Sequence, residues 1–298
     1  MTNLKKLGLT ALAGSLVATS AFAGEMSVSG TAKVSYTSGD TLTTTTNPWS
    51  ASNALSFSGG GELDNGMSVS VSIATDTGST AFSSSNMVLD MGDAGKFAVS
   101  KEMSSGHGYN AYQDKMPTAG EEVWDDMAGE ASGRVGMEDN GTISYGNSIA
   151  GANFSVAYNK DSATDGSDKS VGIDYSPVDG LMIFGARADV SAGSNATNKH
   201  TTFGATYTTM GATIGMQRTA LSKNTANTDE DRTHIAASFA VNENLSVSYG
   251  MSTVEFESSA KTDQEDSGFA ASYTMGSMSF SASSNKSDNA SGTSGNDD

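Results

Sequence analysis

The sequence has no cysteine, only 3 prolines among 298 residues, and no long apolar run beyond its N-terminus. Without cysteine, the chain has no disulfide framework, no thiolate metal site and no thiol nucleophile. Few prolines beside 34 glycines are typical of many strands and tight turns, and do not indicate linkers between domains. A membrane-spanning helix needs ~20 apolar residues, so none is predicted.

Basic residues are also scarce, because 16 Lys and Arg stand against 34 Asp and Glu, for a formal net charge of −18. Nucleic acid is excluded as a partner, since phosphate binding depends on Lys and Arg. An acidic balance is also typical of disordered chains, but the regular β pattern described below contradicts disorder.

The N-terminus has the pattern of a secretory signal peptide. Lys5 and Lys6 precede an apolar stretch over residues 7–17, and an Ala-Phe-Ala cleavage motif ends at Ala23. An uncleaved membrane anchor is the alternative, but the apolar stretch falls well short of ~20 residues. We therefore expect residues 1–23 to be removed on export, which makes the mature chain more acidic still.

One hairpin, residues 55–75, provides the pattern on which the rest of the chain is built. Apolar and glycine residues alternate with small polar ones in two arms of 9 residues, around the turn Asp64-Asn65-Gly66. Asn-Gly between alternating runs is a strong hairpin signal, since both residues tolerate positive φ. Each arm is long enough to cross a bilayer as a tilted strand. A soluble all-β domain alternates in the same way, so one hairpin cannot distinguish it from a membrane barrel. The number of times the hairpin recurs distinguishes the two.

The hairpin recurs along the chain. One leading strand and seven hairpins give 15 predicted strands, joined alternately by short turns and longer polar connections. An aromatic residue precedes each of the last four short turns, at spacings of 32, 32 and 34 residues. These aromatic residues are Tyr175, Tyr207, Phe239 and Tyr273. Propeller blades would need four strands within ~40 residues, whereas here there are two.

The asymmetry of the connections favours an all-β transmembrane barrel, with short periplasmic turns and longer external loops. A closed barrel of this size is too wide for side chains to fill, so the Ser, Thr and Gly face must line water and the apolar face must contact lipid. The four aromatic residues would then form a periplasmic girdle. A soluble two-sheet sandwich would need a larger apolar fraction than 36%.

The predicted barrel covers residues 24–284. Its 15 predicted strands are an odd number, whereas a closed antiparallel barrel of one chain needs an even one. Single-chain bacterial barrels have an even number of strands, so we expect a sixteenth strand beyond residue 298. Residues 285–298 would then be an external loop or a truncated C-terminal segment. A natural disordered acidic tail is the alternative, and it would leave two open sheet edges in the membrane.

Several stretches in this order resemble the general porins of Gram-negative outer membranes, most closely the alphaproteobacterial type. They are EMSVSGTAKVSY after the signal peptide, FSGGGELDNGMSVSVS, MVLDMGDAGKFAVSK and GNSIAGANFSVAYNKD. The resemblance implies a trimeric 16-stranded diffusion channel, with a third loop folded into each barrel and passive flow of small hydrophilic solutes. Two departures are the missing terminal strand and a third loop without the Pro-Glu-Phe-Gly-Gly tip of enterobacterial members, so constriction residues cannot be transferred.

Residues 101–140 form the longest stretch without alternation, and we expect the pore constriction there. The predicted acidic rim is Glu121, Glu122, Asp125 and Asp126. The predicted basic wall is Lys33, Lys96 and Arg187, placed on the polar face by alternation, with Arg134 at the end of the loop. Such acidic rings favour cations. The alternatives are a solvated external loop for the acidic cluster and structural ion pairs for the basic residues.

No cofactor is expected, although the acidic cluster offers the carboxylates that Ca²⁺ prefers. The EF-hand spacing is absent. No nucleophile elbow or paired zinc motif accompanies His107, His200 or His234, so an enzyme is not predicted. Trp49 and Trp124 are more typical of packing or interface anchors than of a sugar platform.

Two functions of different classes remain at this point. The first is an outer-membrane porin that passes ions and small hydrophilic solutes as a homotrimer in lipid. The second is a barrel with a plugged pore that serves as an adhesin or surface scaffold through its loops. Loop length favours the porin, because only the third loop is long. Selectivity is not fixed by net charge, because charges at close quarters on the wall decide it.

Overall fold

The computed structural model describes residues 14–16, 26–38, 48–76, 83–101, 107–120, 122, 141–160, 166–193 and 196–297. These residues form one antiparallel sheet in which every strand pairs with its neighbours in sequence. The strands are β1 Gly14–Leu16, β2 Met26–Tyr36, β3 Trp49–Glu62, β4 Ser68–Asp76, β5 Ser84–Asp90, β6 Lys96–Lys101, β7 Thr142–Ile149, β8 Ala152–Asn159, β9 Asp168–Val178, β10 Leu181–Ser191, β11 Thr197–Thr209, β12 Ala212–Ser222, β13 Glu230–Ala240, β14 Leu245–Phe256, β15 Gln264–Met275 and β16 Met278–Asp288.

All 15 predicted strands are present, as β2 to β16. The short strand β1 is additional, and it lies in the segment predicted as signal peptide, paired with the first residues of β2. Among the described residues, no pairing joins β16 to β1 or β2. Short 3-10 turns accompany the strands, and no helix in the described part of the chain is long and apolar enough to cross a membrane.

The short turns use glycine where the backbone requires positive φ. In the β3–β4 turn, Gly66 has φ 81°, and the Asn65 side chain accepts a hydrogen bond from the Met67 amide at 3.2 Å. In the β11–β12 turn, Met210 and Gly211 have φ of 50° and 81°, so two residues suffice to reverse the chain.

Side chains alternate between two chemically different faces. One face carries Ser, Thr, Gly and Ala, with cross-strand pairs such as Ser27 and Ser58, whose hydroxyl oxygens lie 2.7 Å apart. The opposite face, called here the outer face, exposes large apolar side chains such as Phe203 and Ile214, both 58% exposed. This arrangement suits a sheet between water and lipid.

Several strands extend farther than the predicted ones on the side of the long connections. β3 begins at Trp49, inside the predicted connection 38–53, and β16 continues to Asp288, past the predicted end at residue 284. In the β16 extension polar residues occupy both faces, so the apolar alternation that defines a strand in the sequence is lost. In the β3 extension Asn53 on the outer face separates Trp49 and Ala51 from the apolar run that begins at Leu55.

Candidate functional site

Residues 107–120 lie across the polar face of the sheet, within the long connection between β6 and β7. The first contacts are made by backbone amides. The Gly108 amide donates to Ser155 Oγ on β8 at 2.7 Å, and the Tyr109 amide donates to Ser170 Oγ on β9 at 3.1 Å. Serine side chains on the polar face, called here the wall, therefore accept hydrogen bonds from two loop amides.

Tyr112 anchors the next part of the loop. Its hydroxyl donates to Asp174 Oδ2 on β9 at 2.7 Å, and its ring stacks on Phe184 of β10 at 6.3 Å between centroids. Asp174 is held in turn by Asn153, whose side-chain nitrogen donates at 2.9 Å. Burial raises the pKa of Tyr112, and the hydrogen bond to Asp174 raises it further, so the phenol remains a donor.

Gln217 on β12 is the central attachment point. Its side-chain Nε2 donates to the Gln113 carbonyl at 2.6 Å, and its Oε1 accepts from the Lys115 amide at 3.2 Å. Nε2 also donates to Thr202 Oγ1 at 3.0 Å. Gln217 is only 1% exposed, and its one amide side chain bonds both a donor and an acceptor of the loop backbone.

Farther along the loop, the Ala119 amide donates to Ser248 Oγ on β14 at 2.9 Å. The loop therefore runs from β8 to β14 along the polar face. Two wall glycines allow this close approach. A Cβ on Gly172 would overlap the Tyr112 ring and lie 2.7 Å from the Gly108 carbonyl oxygen, and one on Gly215 would lie 2.8 Å from Pro117 Cδ.

Apolar contacts seal the loop to the wall. A buried cluster joins loop residues Tyr109, Tyr112 and Met116 to wall residues Phe184, Ala186, Ala188 and Ala236. Burial of such side chains contributes roughly 1.5–3 kcal/mol for each large one. The loop is therefore held by packing as well as by hydrogen bonds.

This cluster reverses the predicted faces of β10. Phe184, Ala186 and Ala188 turn toward the loop, so Arg187 lies on the outer face with Ile183. The prediction that Arg187 shares the polar face is wrong, because apolar residues of β10 pack on the loop rather than on lipid. Arg187 instead lies 3.4 Å from Asp189 on the outer face.

The other two basic wall residues keep the predicted face. Lys33 lies opposite Ser52 in the β2–β3 register. Lys96 lies opposite Asp90, and their charged atoms are 3.0 Å apart. The ion pair is solvent-exposed, so its contribution to stability is small.

Of the predicted acidic rim, only Glu122 is among the described residues. It borders a narrow cleft between the loop and the wall, together with Thr118, Ser248 and Asn285. Glu121, Asp125, Asp126 and Arg134 lie outside the described residues.

Carboxylates outnumber cations on the polar face. Among the strand side chains that the structure describes, six carboxylates and three cations lie there. The carboxylates are Glu62, Asp90, Asp168, Asp174, Glu230 and Asp266, and the cations are Lys33, Lys96 and Arg232.

A buried ionic cluster on β13 was not anticipated from the sequence. Arg232 donates to Glu230 at 2.6 Å, and Lys223 contacts the same carboxylate. His200 on β11 lies beside Tyr109 of the loop, with ring centroids 5.9 Å apart. The alternation Glu230, Arg232, His234 places three titratable residues on one face and is the sequence signal that could have revealed it.

The predicted girdle residues Tyr175, Tyr207, Phe239 and Tyr273 all lie on the outer face near the short turns, each 41–45% exposed. Trp49 lies on the outer face at the opposite end of the strands, beside the long β2–β3 connection, and is edge-on to Tyr36 at 5.1 Å between ring centroids. Among the described residues, no group of three His, Asp or Glu side chains could hold a metal ion.

Comparison with known proteins agrees with this geometry. The profile of the Gram-negative porin family matches residues 8–298. No curated protein sequence matches the chain.

Similar solved structures are porins as well. A mutant of the Rh. blastica porin has a TM-score of 0.60 at 14% identity, with 91% of this chain and 94% of that chain covered. The anion-selective porin from Comamonas acidovorans has a TM-score of 0.61 at 15% identity, covering 81% and 82%. A porin refined at 1.8 Å resolution has a TM-score of 0.64 at 14% identity, covering 89% and 94%. At these identities the likeness shows the fold alone.

Proposed function

Because the chain belongs to the Gram-negative porin family, we propose that residues 107–120 form the constriction of its channel. The protein is a diffusion channel of the bacterial outer membrane and not an enzyme. The observation that carries the proposal is the attachment of the loop to the polar face from β8 to β14. A loop fixed at this many points narrows the lumen without needing to move.

The solutes are ions and small hydrophilic molecules. The polar face and the loop backbone present hydroxyls, amides and carboxylates to water, which suit hydrated solutes and disfavour apolar ones. No described feature of the lumen forms a dedicated pocket for one ligand, so the selection is by size and charge.

The channel prefers cations. Support comes from the excess of carboxylates over cations on the polar face, and from Glu122 at the edge of the loop. The predicted rim formed with Glu121, Asp125 and Asp126 would strengthen this field, with Lys33 and Lys96 as the opposing charges. Ca²⁺ is a candidate ligand of the same acidic rim.

The protein works as a homotrimer surrounded by outer-membrane lipid, after export and removal of residues 1–23. The outer face of β2 to β5 supports an interface between copies, because it is apolar and carries glycines that permit close packing. Trp49 and Tyr36 lie at its edge and offer aromatic anchors. The girdle residues Tyr175, Tyr207, Phe239 and Tyr273 mark the periplasmic boundary with lipid.

The chain's lack of cysteine allows a direct test of the constriction. Lys115→Cys places a thiol on the loop, and Thr201→Cys places one on the outer face as control. Labelling with a cationic methanethiosulfonate should lower single-channel conductance of the loop variant and leave the control unchanged. Unchanged conductance after complete labelling of Lys115→Cys would remove residues 107–120 from the constriction.

A further inference from the structure

Charged residues on the outer face are confined to one half of the sheet. Among the described strand residues, β2 to β8 carry one charge there, Lys101, whereas β9 to β16 carry ten. The ten are Lys169, Arg187, Asp189, Lys199, Arg218, Asp231, Glu255, Glu265, Lys286 and Asp288. Charges that face lipid are costly in the apolar band, so their position relative to that band needs an explanation.

On the four strands that carry a girdle residue, the outer-face charges lie six or eight residues from it along the strand. Lys169 is six residues from Tyr175, Lys199 is eight residues from Tyr207, and Glu265 is eight residues from Tyr273. Eight strand residues rise ~26 Å, and a tilt of ~40° leaves ~20 Å along the membrane normal. This approaches the ~25 Å height of a lipid-facing apolar band. The charges therefore mark the boundary opposite the short turns, which is the external one.

Cations are concentrated in one part of this boundary, which we call the cationic corner: Lys169, Arg187 and Lys199 around Asp189. Lys169 and Lys199 both lie opposite Asp189 in register, on β9 and β11. Arg187 Nη2 lies 3.4 Å from Asp189 Oδ1, and its side chain is 54% exposed. The described residues provide no ion pair to either lysine.

The remaining charges are balanced differently. On β12 to β16, Arg218 lies 3.2 Å from Asp231 and Lys286 lies 2.7 Å from Asp288. There, carboxylates outnumber cations. The cationic corner has three cations against one carboxylate, the largest positive surplus on the described outer face. Strands are spaced ~4.8 Å apart, so the two lysine Cα atoms are ~10 Å apart, within reach of one phosphate group.

We propose that the cationic corner binds the phosphate of an outer-leaflet lipid headgroup. The long stems of Lys169 and Lys199 lie along the apolar surface while their ammonium groups reach the headgroup level. Arg187 is partly neutralised by Asp189, so the two lysines supply most of the attraction. The site selects a phosphorylated lipid over a neutral one because point charges, not shape, hold the headgroup.

The experiment measures binding of diphosphorylated lipid A, and of the same lipid after dephosphorylation, to folded full-length protein in neutral detergent. The variant is Lys169→Gln/Lys199→Gln, and the matched control is Lys286→Gln, a lysine of the outer face paired with Asp288. We expect the double variant to lose about thirtyfold in affinity, which corresponds to ~2 kcal/mol at ~1 kcal/mol per lysine. The control should bind like wild type.

A second variant tests the same site by gain of affinity. Asp189→Asn removes the carboxylate between the cations and should tighten binding of the phosphorylated lipid. Heat-modifiable migration verifies that each variant is folded. Equal binding of the phosphorylated and dephosphorylated lipids by wild type would overturn the proposal, as would an equal loss in Lys286→Gln or no gain in Asp189→Asn.

Discussion

Gln217 connects the wall to the loop through both ends of one amide. Its Nε2 donates to the Gln113 carbonyl and its Oε1 accepts from the Lys115 amide. No sequence pattern distinguishes such a glutamine from any other polar residue that lines a pore. Its role depends on a loop more than 100 residues away, as the separation of 102 between Lys115 and Gln217 shows.

Replacing Gln217 with alanine should loosen the loop. Two backbone hydrogen bonds to the loop are lost, at ~1 kcal/mol each. We expect larger open-channel noise and faster permeation of large sugars in liposome swelling. Gln264→Ala is the matched control, because its described hydrogen bonds go to Asp266 and Ser291. Equal behaviour of the two variants would show that Gln217 does not position the loop.

Tyr112 offers a test that depends on pH. Burial and the Asp174 hydrogen bond raise the pKa of Tyr112, so the docked loop stabilises the protonated phenol. This contribution is complete below the ordinary tyrosine pKa of ~10 and is lost as pH rises through the higher pKa of the docked state.

Tyr112→Phe keeps the ring on Phe184 and deletes the hydrogen bond to Asp174. We expect the variant to be noisier than wild type by an amount that stays constant between about pH 6 and pH 9. The difference should shrink only in stronger alkali, in recordings at stepped pH. A difference that vanishes between pH 6 and pH 9 would contradict a protonated phenol as the anchor.

At the level of the strands, the alternation of apolar and polar residues predicts most of the structure. Each of the 15 predicted strands exists, because apolar side chains facing lipid alternate strictly with small polar ones. Where this contrast ends, alternation no longer predicts the strand or its faces. The end of β16 is polar on both faces, and Asn53 interrupts the outer face of β3. In β10 the apolar residue Phe184 packs on Tyr112 of the loop, so the alternation of β10 predicts the wrong side.

The fit between loop and wall can be tested at Gly172. Gly172→Ala would force its Cβ against the Tyr112 ring, and overpacking of this kind costs ~1–3 kcal/mol. We expect a displaced loop, seen as an altered conductance distribution, and a lower temperature for heat modification. Gly185→Ala, whose Cβ would have 3.6 Å to the nearest atom, should behave like wild type. Wild-type conductance in Gly172→Ala would show that close approach there is not needed.

The whole molecule separates its charges by face and by end. The polar face has surplus carboxylates, the loop adds Glu122, and the outer face concentrates its surplus cations in the cationic corner. The net charge of −18 does not reveal this distribution, because it sums over faces that contact different surroundings. The barrel architecture could be predicted from the sequence. The charges that line the lumen could not, because they depend on which face of each strand packs against the loop.

Zero-current potential across a tenfold KCl gradient, recorded from single channels of protein extracted from native outer membrane, tests the central claim most directly. A water-filled lumen lined by surplus carboxylates and narrowed by residues 107–120 predicts stable conductance steps with a reversal potential of cation-selective sign. An anion-selective reversal potential would contradict the assigned lining, and silence from a folded, heat-modifiable barrel would contradict an open lumen.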